Sequence, residues 1–82
     1  MIVRTQNKKG IVNLNNIDTI DVWDTQVRYF SGGGIDTIGV LGTYSTGEKA
    51  IKVLDMIEDA CRNMAFTDGA VFRMPADEDV EV

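Results

Sequence analysis

The chain has no histidine, one cysteine, one proline and one tryptophan among its 82 residues. Without histidine it lacks the side chain that most often serves as general base, proton shuttle and metal ligand near neutral pH. A single thiol, Cys61, cannot form an internal disulfide, which agrees with a reducing compartment. Cys61 lies on an apolar helical stripe with no imidazole to lower its pKa, so the expected role is packing rather than nucleophilic attack. No apolar run is long enough to cross a bilayer, and the first residues lack a basic-then-apolar signal pattern; a cytoplasmic location is expected, with no membrane contact. G-x-S-x-G, Walker and metal-spaced Cys/His patterns are absent as well. The expectation is a protein that is not an enzyme and uses no metal or cofactor.

Basic residues are few. Eight Lys and Arg face 13 Asp and Glu, for a net charge of −5. Asp77, Glu78, Asp79 and Glu81 follow the last basic residue, so these four leave only −1 on residues 1–76. The sequence divides accordingly into one domain, 1–76, and an acidic C-terminal tail, 77–82, expected to be solvated and frayed. Generic binding to duplex nucleic acid needs clustered cations facing phosphates and is not expected.

What the chain does have is one well-specified helix. Ser45 and Glu48 match a capping box, S-x-x-E, and place a carboxylate in the first turn. Ala50, Val53, Leu54, Ile57, Cys61 and Met64 then recur every three or four residues, the stripe of a helix covering a core. Glu48–Lys52 and Glu58–Arg62 are favourably oriented pairs one turn apart on that helix.

Elsewhere the sequence reads as strands and turns. Ile2–Gln6 and Ile11–Leu14 flank Asn7-Lys8-Lys9-Gly10, where Gly10 is expected to supply a positive φ. Ile17–Trp23, Val27–Phe30 and Ile35–Tyr44 follow, then Ala70–Met74 after the helix and a Thr67-Asp68-Gly69 turn. Gly39 and Gly42 mark a bulge or a close approach in the strand before the helix. The predicted fold is α+β: a small antiparallel meander of about five strands, packed by the helix, with a short final strand at a sheet edge or against another copy. So small a core makes a homo-oligomer the expected state.

Several clusters are candidates for chemistry. Asp18 and Asp21 have opposite strand parity, and Asp55 and Asp59 lie on the solvated helix side, so both pairs read as surface charge. Gly32-Gly33-Gly34 reads as a hairpin tip rather than a phosphate cradle, since a strand and not a helix follows it. Arg4, Arg28 and Arg73 are each predicted on strands and would clamp phosphates if they converge. Trp23 and Tyr44 offer stacking surfaces, and Thr43 and Thr46 offer hydroxyls beside a helix N-terminus. These seven residues are the candidate ligand-binding set.

The segments Ile11-Val12-Asn13-Leu14-Asn15-Asn16-Ile17, Leu41-Gly42-Thr43-Tyr44-Ser45-Thr46-Gly47-Glu48-Lys49-Ala50 and Val71-Phe72-Arg73-Met74-Pro75 carry a resemblance. Together they are similar to short Firmicutes and phage or prophage proteins with I-V-N-L-[DN]-N-I, L-G-x-Y-x-T-x-E-x-A and C-terminal V-[FY]-x-M-P segments. Asn15 stands where that pattern often has Asp, and the Gly32–Gly34 segment differs from the usual acidic hairpin. The resemblance implies a lineage and carries no activity or site residues. Phage company suggests a protein that occupies something: an oligomeric sponge for a small anionic, nucleotide-type host immune signal such as a cyclic nucleotide. The alternative is an inhibitor or adaptor that blocks a host protein through a sheet edge or the acidic tail.

Overall fold

Short β-branched runs separated by polar turns fold into six strands, in a computed structural model that describes residues 1–31, 37–64 and 70–82. The Gly32–Gly34 loop and the Thr67–Gly69 turn lie outside the described residues. The class is α+β, with β1 (Ile2–Arg4), β2 (Ile11–Asn13), β3 (Ile17–Trp23), β4 (Gln26–Ser31), β5 (Thr37–Thr43), α1 (Gly47–Met64) and β6 (Val71–Arg73). In place of one five-stranded meander there are two three-stranded sheets, β2-β1-β6 and β3-β4-β5. The break falls at Leu14–Asn16, a 3-10 turn whose start is fixed by the Asn13 carbonyl oxygen Oδ1 accepting the Asn15 amide at 3.0 Å. That turn redirects the chain, so β3 pairs forward with β4 instead of back with β2.

In the first sheet β1 is central, antiparallel to β2 and parallel to β6. The 7–10 turn closes the hairpin, but the left-handed residue is Lys8, at φ 67°, rather than Gly10. Asn7 holds the turn locally: its Oδ1 accepts the Lys9 amide at 2.9 Å and the Thr5 hydroxyl at 2.8 Å. The final strand joins β1 at the sheet edge, with Ile2 N donating to Ala70 O and Met74 N to Arg4 O at either end.

The second sheet is an antiparallel meander. Between β4 and β5 the register shifts by one residue, so that Val27 faces Gly42 while Arg28 faces Val40. Leu41 is the extra residue of this bulge and is fully buried. Gly39 sits under the Tyr29 ring, where an added Cβ would stand only 2.2 Å from Cζ.

Gln6 joins the sheets. Its backbone amide donates to Leu41 O at 2.9 Å, its Oε1 accepts the Thr43 amide at 2.9 Å, and its Nε2 reaches Pro75 O at 3.5 Å. Gly42 leaves room for this approach, because a Cβ there would lie 3.2 Å from the Gln6 Cβ.

Helix α1 buries Ala50, Val53 and Ile57 as its stripe foretells, with Leu54 and Cys61 half-buried beside them. Withdrawing Val53 or Ile57 from water stabilises the fold by about 1.5–3 kcal/mol each. The cap lies one residue later than the capping box implies: Thr46 Oγ1 accepts the Lys49 amide at 3.2 Å, and Gly47 is the first helical residue. The Ser45 amide is taken instead by Asp77 Oδ1 at 2.7 Å. Of the two helix pairs expected, Glu58–Arg62 forms at 3.6 Å, while Lys49 rather than Lys52 finds an acidic partner, Asp77.

The acidic segment is therefore packed rather than frayed. Asp77–Asp79 make a 3-10 turn, and Val80, at 5% exposure, enters the core cluster with Val3, Val27, Leu41 and Met74. Val80→Ala is expected to cost about 1–3 kcal/mol, whereas Val82→Ala should change stability by less than about 0.5 kcal/mol. Urea denaturation of the two variants checks this; equal costs would mean that the segment does not dock in solution.

Candidate anion-binding site

The seven candidate residues fall into three places. Arg4 and Arg73 come together, because β1 and β6 are parallel and the two are register partners. Arg28 and Trp23 meet on the other sheet. Thr43, Tyr44 and Thr46 stand at the start of the helix, where the Tyr44 ring and the Thr46 hydroxyl are already committed.

Tyr44 is 3% exposed, and its hydroxyl donates to Pro75 O at 2.9 Å. Its ring is a core member and offers no open stacking surface. Burial, and secondarily the Asp77 carboxylate, push its pKa up to about 12. Thr46 caps the helix, and the Thr43 amide is held by Gln6. The anion position near the helix start is filled from within the chain by Asp77. Its Oδ1 accepts the Ser45 amide, while Lys49 Nζ approaches both its backbone oxygen (3.0 Å) and its Oδ2 (3.4 Å). The Ser45 amide holds the Asp77 carboxyl below its ordinary 3.8 against the opposing effect of burial, with the Ser45 hydroxyl and then Lys49 adding to the lowering.

Arg28 is also occupied. Its Nε and one terminal nitrogen each donate to an Asp21 oxygen at 3.1 Å, a bidentate pair across β3 and β4. The guanidinium carbon stands 5.3 Å from the centre of the Trp23 ring and 5.2 Å from that of Phe30. Asp21 stands across from Arg28 in register, while Asp18 falls in a bulge of β3 and lines a separate recess.

Arg4 and Arg73 line a cleft of about 310 Å³ together with Lys8, Thr5 and Met74. Arg4 is fixed by donating from Nε (3.2 Å) and a terminal nitrogen (2.9 Å) to the Lys8 carbonyl. The left-handed turn at Lys8 returns that carbonyl to β1 and brings the lysine to the same cleft. Among the described residues Arg73 has no hydrogen bond or ion pair. Among the described residues no carboxylate lines the cleft. Neighbouring strands lie about 4.8 Å apart, so two in-register arginines repel unless water or an anion intervenes. The arrangement is suited to phosphate or carboxylate.

A second recess, of about 320 Å³, lies between β3 and α1, lined by Leu14, Ile17, Ile20, Leu54, Ile57 and Cys61, with Thr19 and the carboxylates of Asp18 and Glu58. It is apolar and acidic, and so unsuited to an anion. Cys61 there is half-buried with its sulfur 3.9 Å from Met1 Sδ.

Sequence reasoning missed Lys8, Gln6 and Asp77. Lys8 was legible as a turn residue, but its approach to Arg73 depends on a parallel pairing over 60 residues distant. No family model, curated protein or solved structure matches the chain.

Two shifted groups make the stability of the fold depend on pH, one at each end of the range. The Asp77 contribution is complete above 3.8 and is lost as pH falls below it; the Tyr44 contribution is complete below 10.0 and is lost as pH rises toward about 12. Denaturation across pH should show the gap between wild type and Asp77→Asn closing below pH 3.8. Tyr44→Phe should flatten the alkaline loss, and a pH-independent gap for either variant would contradict the assignment.

Proposed function

We propose that the protein is a non-enzymatic binding protein that holds a small anionic ligand of nucleotide type in the Arg4–Lys8–Arg73 cleft. The observation that carries this reading is the concentration of three of the eight basic residues around one opening with no carboxylate among its described lining residues, in a chain of net charge −5. Arg4 is pre-oriented by its turn, so little side-chain entropy is lost on binding. Arg73 supplies the uncommitted guanidinium, and Lys8 adds a mobile point charge at the rim. Exposed Ile11 and Val71 on the same face of the sheet offer apolar contact for a base or sugar. Trp23, Arg28 and Tyr44 have no part in this version of the site. The immune-signal sponge is the sharpest form of the proposal and rests on the phage resemblance together with this cleft.

The second reading is an inhibitor or adaptor for a host protein. It draws support from the docked C-terminal segment, which presents exposed Glu78, Asp79 and Glu81 on a fixed base. Neutralising those three with amides would abolish salt-sensitive partner binding while leaving the Arg cleft intact.

Native mass spectrometry with a pool of cyclic mono-, di- and trinucleotides tests the first reading. A stoichiometric nucleotide adduct without turnover is expected, with Arg73→Ala weakening it about tenfold to a hundredfold, as loss of a charge-assisted hydrogen bond implies. Unshifted mass and melting across that panel and with inorganic phosphate would overturn it.

A further inference from the structure

The core is open on one side. The turn at Leu14–Asn16 parts the two sheets, and among the described residues β3 is left at the end of its sheet, beside α1. Leu14, Ile17, Ile20 and Leu54 line the resulting recess of about 320 Å³, and all four are only half-buried. Leu14 and Ile20 also pack against the buried cluster, so the floor of the recess is the flank of the core itself.

Two carboxylates line this recess with them. Asp18 is the extra residue of a bulge: the register passes from Ile17–Ser31 to Thr19–Phe30 and leaves it without a partner on β4. Glu58 follows Leu54 by one turn of α1 and lines the recess from the helix side. Among the described residues no lysine or arginine lines it. Arg62 reaches Glu58 at 3.6 Å, but both side chains are exposed, and such a pair holds weakly.

We propose that this recess binds a small amphipathic cation, a primary ammonium group carried on a compact apolar body. Charge complementarity selects that ligand. Covering half-buried Leu and Ile side chains favours any apolar molecule. A fatty acid or a phosphate, however, brings a further negative charge to Asp18 and Glu58, and a neutral molecule leaves both carboxylates without a counter-charge. An ammonium group has three donors, and Asp18, Glu58 and the Thr19 hydroxyl are the acceptors on the lining. A divalent metal is a poorer match, since no three acidic or thiol side chains among the described residues come together to hold one. Size narrows the choice further. A dry cavity of about 150 Å³ holds one benzene, so a recess of about 320 Å³ takes an aromatic ring with a short aminoalkyl chain. The Arg4–Lys8–Arg73 cleft lies on the other sheet and takes the opposite charge, so this site stands independently of the anion proposed above.

Three probes of similar shape test the proposal: 2-phenylethylamine, 2-phenylethanol and phenylacetate. Each is titrated into the full chain while the methyl resonances of Ile17, Ile20 and Leu54 are followed. The amine is expected to give saturable shifts at those methyls and to bind about fivefold tighter than the alcohol, as pairing at an exposed rim implies. Phenylacetate should leave them unmoved over the same range. Asp18→Asn with Glu58→Gln, both at exposed positions, should bring the amine down to the affinity of the alcohol, with the alcohol and the far-ultraviolet circular dichroism unchanged. Phenylacetate binding as tightly as the amine would overturn the proposal. So would an amine advantage that survives the two substitutions, or amine shifts that do not saturate at these methyls.

Discussion

The two sheets have no strand in common, and Gln6 is where they are tied. One residue donates from its backbone to β5, accepts from β5 through its side chain and reaches the C-terminal segment through its amide nitrogen. Each contact constrains a different neighbour: the bulge at Leu41, the end of β5, and the Pro75 carbonyl that Tyr44 also uses. These hydrogen bonds are individually worth only about 1 kcal/mol each. Their importance lies in direction, because they fix how the faces bearing Val3 and Val27 approach and hence where Val53 of the helix can enter between them.

The C-terminal segment belongs to the same tie. Val80 fills the core, and Asp77 takes the Ser45 amide and the Lys49 ammonium at the helix start. A chain with few basic residues thereby spends one of them internally, and satisfies with its own carboxylate a position that would otherwise attract a solute anion. Arg4, Lys8 and Arg73 are gathered at the other sheet, brought together by the hairpin turn and by the β1–β6 pairing.

Local chemistry was legible in the sequence. The apolar stripe of α1, the Asn7–Gly10 turn and the close approach at Gly39 follow from residue type and spacing, and the last strand takes a sheet edge, one of the two places open to it. What was not legible is long-range. The S-x-x-E pattern at Ser45 is displaced by one residue because Asp77, 32 positions away, competes for the Ser45 amide. Asn13 to Asn16 reads as a break between strands of one sheet, and only the pairing of β6 with β1 reveals that it separates two. Of the seven candidate ligand residues, Arg4 and Arg73 converge through that pairing. Arg28 and Trp23 meet on the opposite sheet because Asp21 stands across from Arg28 in register. Tyr44 looked available as a stacking ring, but its hydroxyl had a buried partner in the Pro75 carbonyl that no local pattern announces.

The parallel alignment of β1 with β6 has a mechanical consequence. Tension applied through the chain ahead of Ile2 and beyond Arg73 pulls these two strands past one another along their length. Their rungs are then loaded together in shear and must give way together, whereas an antiparallel pair held by its free ends unzips one rung at a time. The segment around Val80 takes up the load first and sheds it when its side chain leaves the core. A protein this small consequently resists stretching at two successive latches, with the stiffer one formed by the strands nearest its two ends.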